Sequence, residues 1–219
     1  MKSETGEEIA GFAEALKEHT PPLHPRVANL MDFGDPYDGK TKSLNLSPLV
    51  ALVLASCSLP VVLHGEPDIP AKHGVGAGEV FTALGARLLT ACDGMARALE
   101  EMGLAFIQAS LLLPRLAALK PLRQQYGLRS SLNAVEKMWN PSGARTLVTG
   151  IYHAPYFRPT AEALLALEVP HGFVVQGVEG FGELWLHRPT KFMEARAGRV
   201  EEKTIVPQDL GFATRASWE

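Results

Sequence analysis

The stretch from Leu59 to Gly85 constrains the fold more than any other part of the chain. Leu59-Pro-Val-Val-Leu-His64 is short, β-branched and apolar on both faces, the pattern of a parallel strand covered by helices. Gly65, Pro67, Pro70, Gly74, Gly76 and Gly78 then hold the backbone out of regular structure. A helical pattern resumes near Glu79, with Val80, Phe81 and Leu84 on one side and Gly85 as its stop. In an open parallel sheet, a glycine-rich loop at the carboxyl end of a strand is where ligands sit, and its N–H groups can cradle an anion.

The same alternation runs through the chain. Thr5-Gly-Glu-Glu8 reads as a capping box, followed by a helical face of Ile9, Phe12, Ala13 and Leu16. Strands are expected over 27–33, 104–108, 146–151 and 171–176, each ending in a loop. Ser47 is expected to cap a helix with Pro48 at its first position, and the all-apolar run Leu49–Ser56 reads as buried. Further helices are expected from a cap at Asp93 to Met102, from Pro114 to Gln125 with a break at Pro121, over 131–137 and over 159–167. The tail changes to strands at 184–186, 191–196 and 200–205, the last two a hairpin around Gly198. This order predicts an α/β fold, a mostly parallel sheet with helices on both faces. Its ligand edge would gather His64, His73, His153, Asp35, Asp38, Glu66, Asp68, Glu179, Glu183, Lys40 and Lys72, a set suited to an anion or a metal–anion pair.

A formal charge of −3 gives no basic footprint for nucleic acid, and the basic residues Arg115, Lys120, Arg123 and Arg129 read equally well as a solvated helical face. Cys57 and Cys92 read as small buried hydrophobes in a reducing compartment. No apolar run spans a bilayer and no signal peptide opens the sequence, so a cytoplasmic protein is expected. No nucleophile elbow, zinc spacing, Walker loop or dinucleotide fingerprint is present.

The order of loops resembles the anthranilate phosphoribosyltransferase family, glycosyl transferase family 3. Residues 1–15 are similar to "MKGETxEEIAGFAEA", Leu44-Asn-Leu-Ser47 stands at "FNIST", Leu63-His-Gly65 at "KHGNR", and 79–85 at "DVLEALG". Tyr126-Gly-Leu-Arg129, Asn133 and Asn140-Pro141 match "LGIRTxxNxxGPLxNP", and 176–184 matches "HGxDGLDEL". The resemblance implies transfer of a phosphoribosyl group from phosphoribosyl pyrophosphate to an aromatic amine, with magnesium, in a homodimer. It implies that Gly34, Asp38, Lys40, Asn45, Ser47, His64, Gly65 and Lys72 bind phosphoribosyl pyrophosphate, that Arg129 binds the carboxylate of the acceptor, and that Glu183 binds metal. Bland readings stand beside these. Ser47 is a natural cap, Asn45 can satisfy a turn, His64 can bond a loop carbonyl, and Lys72 and His73 read as solvated loop residues.

The sequence departs from that family pattern on the phosphate side. The first loop, "GTGGDGK" in the family, is Gly34-Asp-Pro-Tyr-Asp-Gly-Lys40 here, so two glycines become Pro36 and Tyr37 and Asp35 adds an acid. The Lys of "KHGNR" is Leu63, and the Asp-Glu metal pair is Gly182-Glu183. These changes imply a divergent branch, with a nucleic-acid-binding member and an inactive remnant as the alternatives to an enzyme. The resemblance also implies truncation at both ends: 1–20 as a remnant of a small helical domain, and 27–219 as an incomplete α/β domain of reduced stability or dependent on a partner.

Overall fold

A computed structural model describes residues 4–212, without the side chains of Cys92 and Asp93. Among these residues seven strands form one sheet: β1 (Met31–Gly34), β2 (Val61–Gly65), β3 (Leu104–Gln108), β4 (Thr146–Gly150), β5 (His171–Val175), β6 (Thr190–Arg196) and β7 (Arg199–Ile205). Their spatial order is β3-β2-β1-β4-β5-β6-β7. The first five run parallel, while β6 and β7 are antiparallel. The strand order reverses between β1 and β4, the switch point at which such sheets open a crevice.

The helices are α1 (Gly6–Glu18), α2 (Ser47–Ser56), α3 (Ala77–Ala83), α4 (Cys92–Met102), α5 (Ala109–Leu112), α6 (Pro114–Ala118), α7 (Lys120–Tyr126), α8 (Ser131–Val135) and α9 (Phe157–Ala166). They cover both sheet faces. Val61 and Leu63 of β2 pack with Ala51, Ala77, Phe81 and Phe106 in one cluster, whereas Val62 packs on the other face with Met95, Leu99 and Trp139. All of β2 is buried, as a strand apolar on both faces requires. Ile9, Ala10 and Ala13 of α1 join Ala161, Ala163 and Leu164 of α9 in a single core, so residues 6–18 are part of the packing of the α/β unit. The capping box forms as read: Thr5 N–H donates to Glu8 and Glu8 N–H to Thr5 Oγ1. Glycines with positive φ stop α4 at Gly103 and α7 at Gly127.

Several expectations are corrected. The helix α2 is not buried: Leu49, Val50, Leu52 and Val53 are all more than two-fifths exposed, because the sheet covers only the side that carries Ala51. Ser47 is already inside α2 and Leu46 takes the cap position without a side-chain bond. Phe12 faces outward on α1. Residues 184–186 form no strand; β6 pairs directly with β5, and the Trp185 N–H donates to Thr190 Oγ1 in a local turn. Cys57 is exposed at the end of α2. The helix α4 starts at Cys92; the proposed cap on Asp93, the burial of Cys92 and the first three residues of the family match lie outside the described side chains or residues. Among the described residues no helix is long and apolar enough to cross a membrane.

Candidate functional site

The loops after β1, β2, β4 and β5 meet at the switch point, where a chain of alternating charges links them. Arg129, just past the glycine that ends α7, places its Nε 2.8 Å and its Nη2 2.7 Å from Asp38 Oδ2. Lys72 stands 4.0 Å from the other oxygen of Asp38 and 3.7 Å from Glu179. Glu179 in turn accepts the N–H groups of Thr41 (3.2 Å) and Lys42 (3.0 Å) and the hydroxyl of Ser43 (2.8 Å). Desolvation acts to raise the Glu179 pKa, but the Ser43, Thr41 and Lys42 hydrogen bonds and the Lys72 charge outweigh it and bring it down to about 2. The carboxylate therefore occupies a small nest of donors, the kind of feature that binds anions.

A second pair lies deeper. Lys40 is buried, paired with Glu183, and donates to the Leu44 carbonyl at 3.1 Å. Its ammonium lies 4.8 Å from the centre of the Phe181 ring. The other oxygen of Glu183 accepts the Leu46 N–H at 2.8 Å. Asn45 ties two loops, donating to the Val75 carbonyl and accepting the Ser47 N–H, each at 3.3 Å. Asp35 lies buried beside these loops. Burial pushes the Asp35 carboxyl up to about 7, opposed by the nearby Ser47 hydroxyl and by the charges of His64 and Lys40.

His64 and Gly65 fall on a different wall. The His64 Nδ1 lies 2.7 Å from the Tyr37 hydroxyl and 3.2 Å from Trp139 Nε1, which also donates to Tyr37 at 3.0 Å. Indole N–H can only donate, so Nδ1 is the acceptor and Nε2 carries the proton. That proton faces Asp32 Oδ1 at 3.0 Å, a contact whose angle falls short of a hydrogen bond. Tyr37, at a family glycine, thus turns inward to fill the core instead of projecting over the loop. Replacing Tyr37 with Phe leaves His64 Nδ1 with the longer Trp139 contact alone. The expected loss is about 1–3 kcal/mol in urea unfolding; a loss under about 0.5 kcal/mol would show that the hydroxyl is not part of the network.

Two cavities flank these groups. One of about 390 Å³ lies between the β1 and β2 loops and α3, with Asp35, Tyr37, His64, Gly65 and Phe106 in its walls. The other, a cleft of about 500 Å³, lies beside the charge chain and is bounded by Asp38, Arg129, Lys137, Tyr152, His153 and Glu179. Gly34 lies at the end of β1, where a Cβ would come within 1.9 Å of the Lys137 carbonyl; packing demands this glycine. The structure therefore gathers Asp38, Lys40, Asn45, Ser47, Lys72, Arg129 and Glu183 into one region and sets His64 and Gly65 apart in another. His73 pairs with Asp68 at 2.7 Å on the surface. Lys72 is not a solvated residue but half-buried within the chain of charges.

Sequence reasoning missed three participants. Glu179 was visible only as one acid among several. Lys137 carried no signal, and Arg123, which read equally well as part of a basic cluster or a solvated helical face, is buried against Glu136 with contacts of 2.7 and 3.1 Å. Among the described residues no group of three or more His, Cys, Asp or Glu is arranged to hold a metal ion.

Comparison with known proteins gives the geometry its context. The model of the glycosyl transferase family, a/b domain, matches residues 38–218. An anthranilate phosphoribosyltransferase of Anaeromyxobacter sp. (strain Fw109-5) is 34% identical over 212 residues, covering 96% of this chain and 62% of that protein. The crystal structure of the anthranilate phosphoribosyltransferase of Thermus thermophilus superposes with a TM-score of 0.84 at 32% identity, over 98% of this chain and 63% of that one. The Saccharomyces cerevisiae enzyme in complex with phosphoribosyl pyrophosphate and magnesium shares the fold, with a TM-score of 0.80 at 18% identity over 97% of this chain and 57% of that one. The chain thus spans a little under two thirds of these relatives. With its strand order, its switch-point loops and four-fifths of its sequence matched, the chain belongs to the glycosyl transferase family as an anthranilate phosphoribosyltransferase-like member.

Proposed function

We propose that the switch-point loops bind phosphoribosyl pyrophosphate together with magnesium and support phosphoribosyl transfer to a small carboxylated aromatic amine. The observation that carries this reading is the paired state of the charges. Lys40, Lys72 and the donors at 41–43, all groups suited to phosphate, are held by Glu183 and Glu179, both groups suited to magnesium. An incoming diphosphate would take over the donors, and magnesium the two freed carboxylates. Two protein carboxylates are a fitting number, since magnesium is commonly held by one or two together with substrate phosphates. When bound, the metal neutralises charge on the diphosphate leaving group. The chain itself would hold the two reactants in position through these loops, and it needs no nucleophile for this.

Exchange of partners predicts coupled binding. Phosphoribosyl pyrophosphate without magnesium would leave Glu179 and Glu183 stripped of their donors beside new negative charge. In thermal unfolding, each component alone is expected to leave the midpoint nearly unchanged, and both together at about a hundred times the dissociation constant to add roughly 2.7 kcal/mol. A cooperative melt that does not move with both present, or that moves fully with phosphoribosyl pyrophosphate alone, would overturn the reading.

A further inference from the structure

We propose that Lys137, not Arg129, fixes the carboxylate of the aromatic ligand in the 500 Å³ cleft, an inference that rests on the acceptor reading above. The two cations bordering the cleft differ in what already occupies them. Arg129 points Nε and Nη2 at Oδ2 of the buried Asp38, so its side chain, 37% exposed, already has a carboxylate on two of its three nitrogens. Lys137 is 7% exposed, and the described residues place one acceptor on its ammonium, the Gly150 carbonyl at 2.6 Å, and no carboxylate within ion-pair distance. An ammonium has three donors, and a buried one without a counter-ion is costly. A ligand carboxylate in the cleft supplies both the charge and the missing acceptor.

The cleft also fits the rest of such a ligand. Tyr126, Leu128, Ile151, Tyr152 and Tyr156 line it, and planar aromatic rings pack well against such walls. The Lys137 ammonium lies at the end of β4, so a carboxylate held there would keep the ring beside Asp38 and Glu179, the acids of the phosphate region. Burial, with the Arg129 charge, brings the Lys137 pKa down to about 8 against the opposing charges of Asp38, Glu136 and Asp35. Other titratable groups bordering the cleft are Glu4, Tyr126, Tyr152, His153, Tyr156 and Glu179.

Benzoate is the probe, because it carries the carboxylate without the amine. Its binding to the full chain can be followed by calorimetry from about pH 6.5 to about pH 9.5, where a carboxylic acid stays ionised. The wild-type affinity is expected to fall by up to about tenfold per pH unit once the pH passes the Lys137 pKa. Lys137→Arg, whose charge does not titrate in this range, is expected to keep binding and flatten the profile. Lys137→Met is expected to bind benzoate about tenfold or more weakly at about pH 7 while binding of aniline, which has no carboxylate, is unchanged. A flat wild-type profile, no benzoate binding at all, or loss of binding on Arg129→Met but not on Lys137→Met would overturn the proposal. Displacement of benzoate by equimolar inorganic phosphate would overturn it in favour of a phosphate site. Should Lys137→Met fail to fold, the wild-type profile decides alone. Benzoate binding requires neither magnesium nor phosphoribosyl pyrophosphate. Its failure with the coupled thermal shift intact points to Lys137, and the reverse pattern points to the diphosphate reading.

Discussion

Arg123→Met is expected to remove about 3–5 kcal/mol of stability, a large share of the margin of an ordinary domain. Arg123 reaches Glu136 through both terminal nitrogens, at 2.7 and 3.1 Å, and Glu136 is completely buried. Removing one partner leaves a charge that can neither reach water nor find another cation at that distance. Burial already holds the Glu136 pKa above its ordinary value even with Arg123 opposing it. Without the arginine the carboxyl would take up a proton on folding. Between its unfolded and folded pKa values the native state then binds more protons than the unfolded state, so stability falls as pH rises. The deficit relative to wild type should therefore shrink as the pH drops toward the ordinary carboxylate range. The double variant Arg123→Met with Glu136→Leu is expected to recover most of the loss, because apolar packing often replaces a buried ion pair without penalty. Urea unfolding of the three variants at neutral and mildly acidic pH checks this. A single-variant loss under about 1 kcal/mol, or a deficit that grows on acidification, would contradict it.

The parts of this fold legible in the sequence are those written in local chemistry. β2 and β4 announce themselves as short β-branched runs that end at a glycine, and Thr5, Gly103 and Gly127 mark helix ends through capping geometry that involves neighbours only. The helix α2 shows the limit. Its aliphatic run states that the helix is apolar, but not which of its sides a neighbour will cover. Ser47 carries capping chemistry, yet the helix begins one residue earlier and Leu46 takes the cap position. The candidate site was legible as a set of loops and not as a set of pairs. Lys40 and Glu183, or Glu179 and the 41–43 segment, are more than 130 residues apart in sequence. No periodicity couples residues at such a distance. Arg123 and Glu136 are closer, but α8 and a turn lie between them, so helical spacing says nothing of their contact.

Gly150→Ala is expected to do more damage than any change in the charged groups, through backbone geometry alone. Gly150 is the last residue of β4, and the loop after β5 crosses directly over it. A Cβ there would lie 2.1 Å from the Phe181 carbonyl carbon and 2.3 Å from the Gly180 carbonyl oxygen. Those atoms are backbone, so no side-chain rotation relieves the overlap, and the loop must retreat. Phe181 is fully buried and lies beneath Lys40 and Lys72, while Glu179 and Glu183 flank it in sequence. A displaced loop would therefore pull both carboxylates from their partners at the same time as it opens the core. A loss above about 4 kcal/mol is expected, with no cooperative melt or one at a much lower temperature. If the variant still folds, the coupled shift with magnesium and phosphoribosyl pyrophosphate should be gone. Gly11→Ala is the matched control: the same methyl is added inside α1, where nothing lies within 4 Å of the new Cβ. It should stabilise the protein by about 0.5–1 kcal/mol through helix propensity and a less flexible unfolded chain. The two substitutions share their chemistry and their unfolded-state effect, so a difference in sign isolates the native contact at Gly150. Equal, mildly positive effects would mean that the loop does not rest on β4, and with it that Glu179 and Glu183 are not held where the phosphate donors lie.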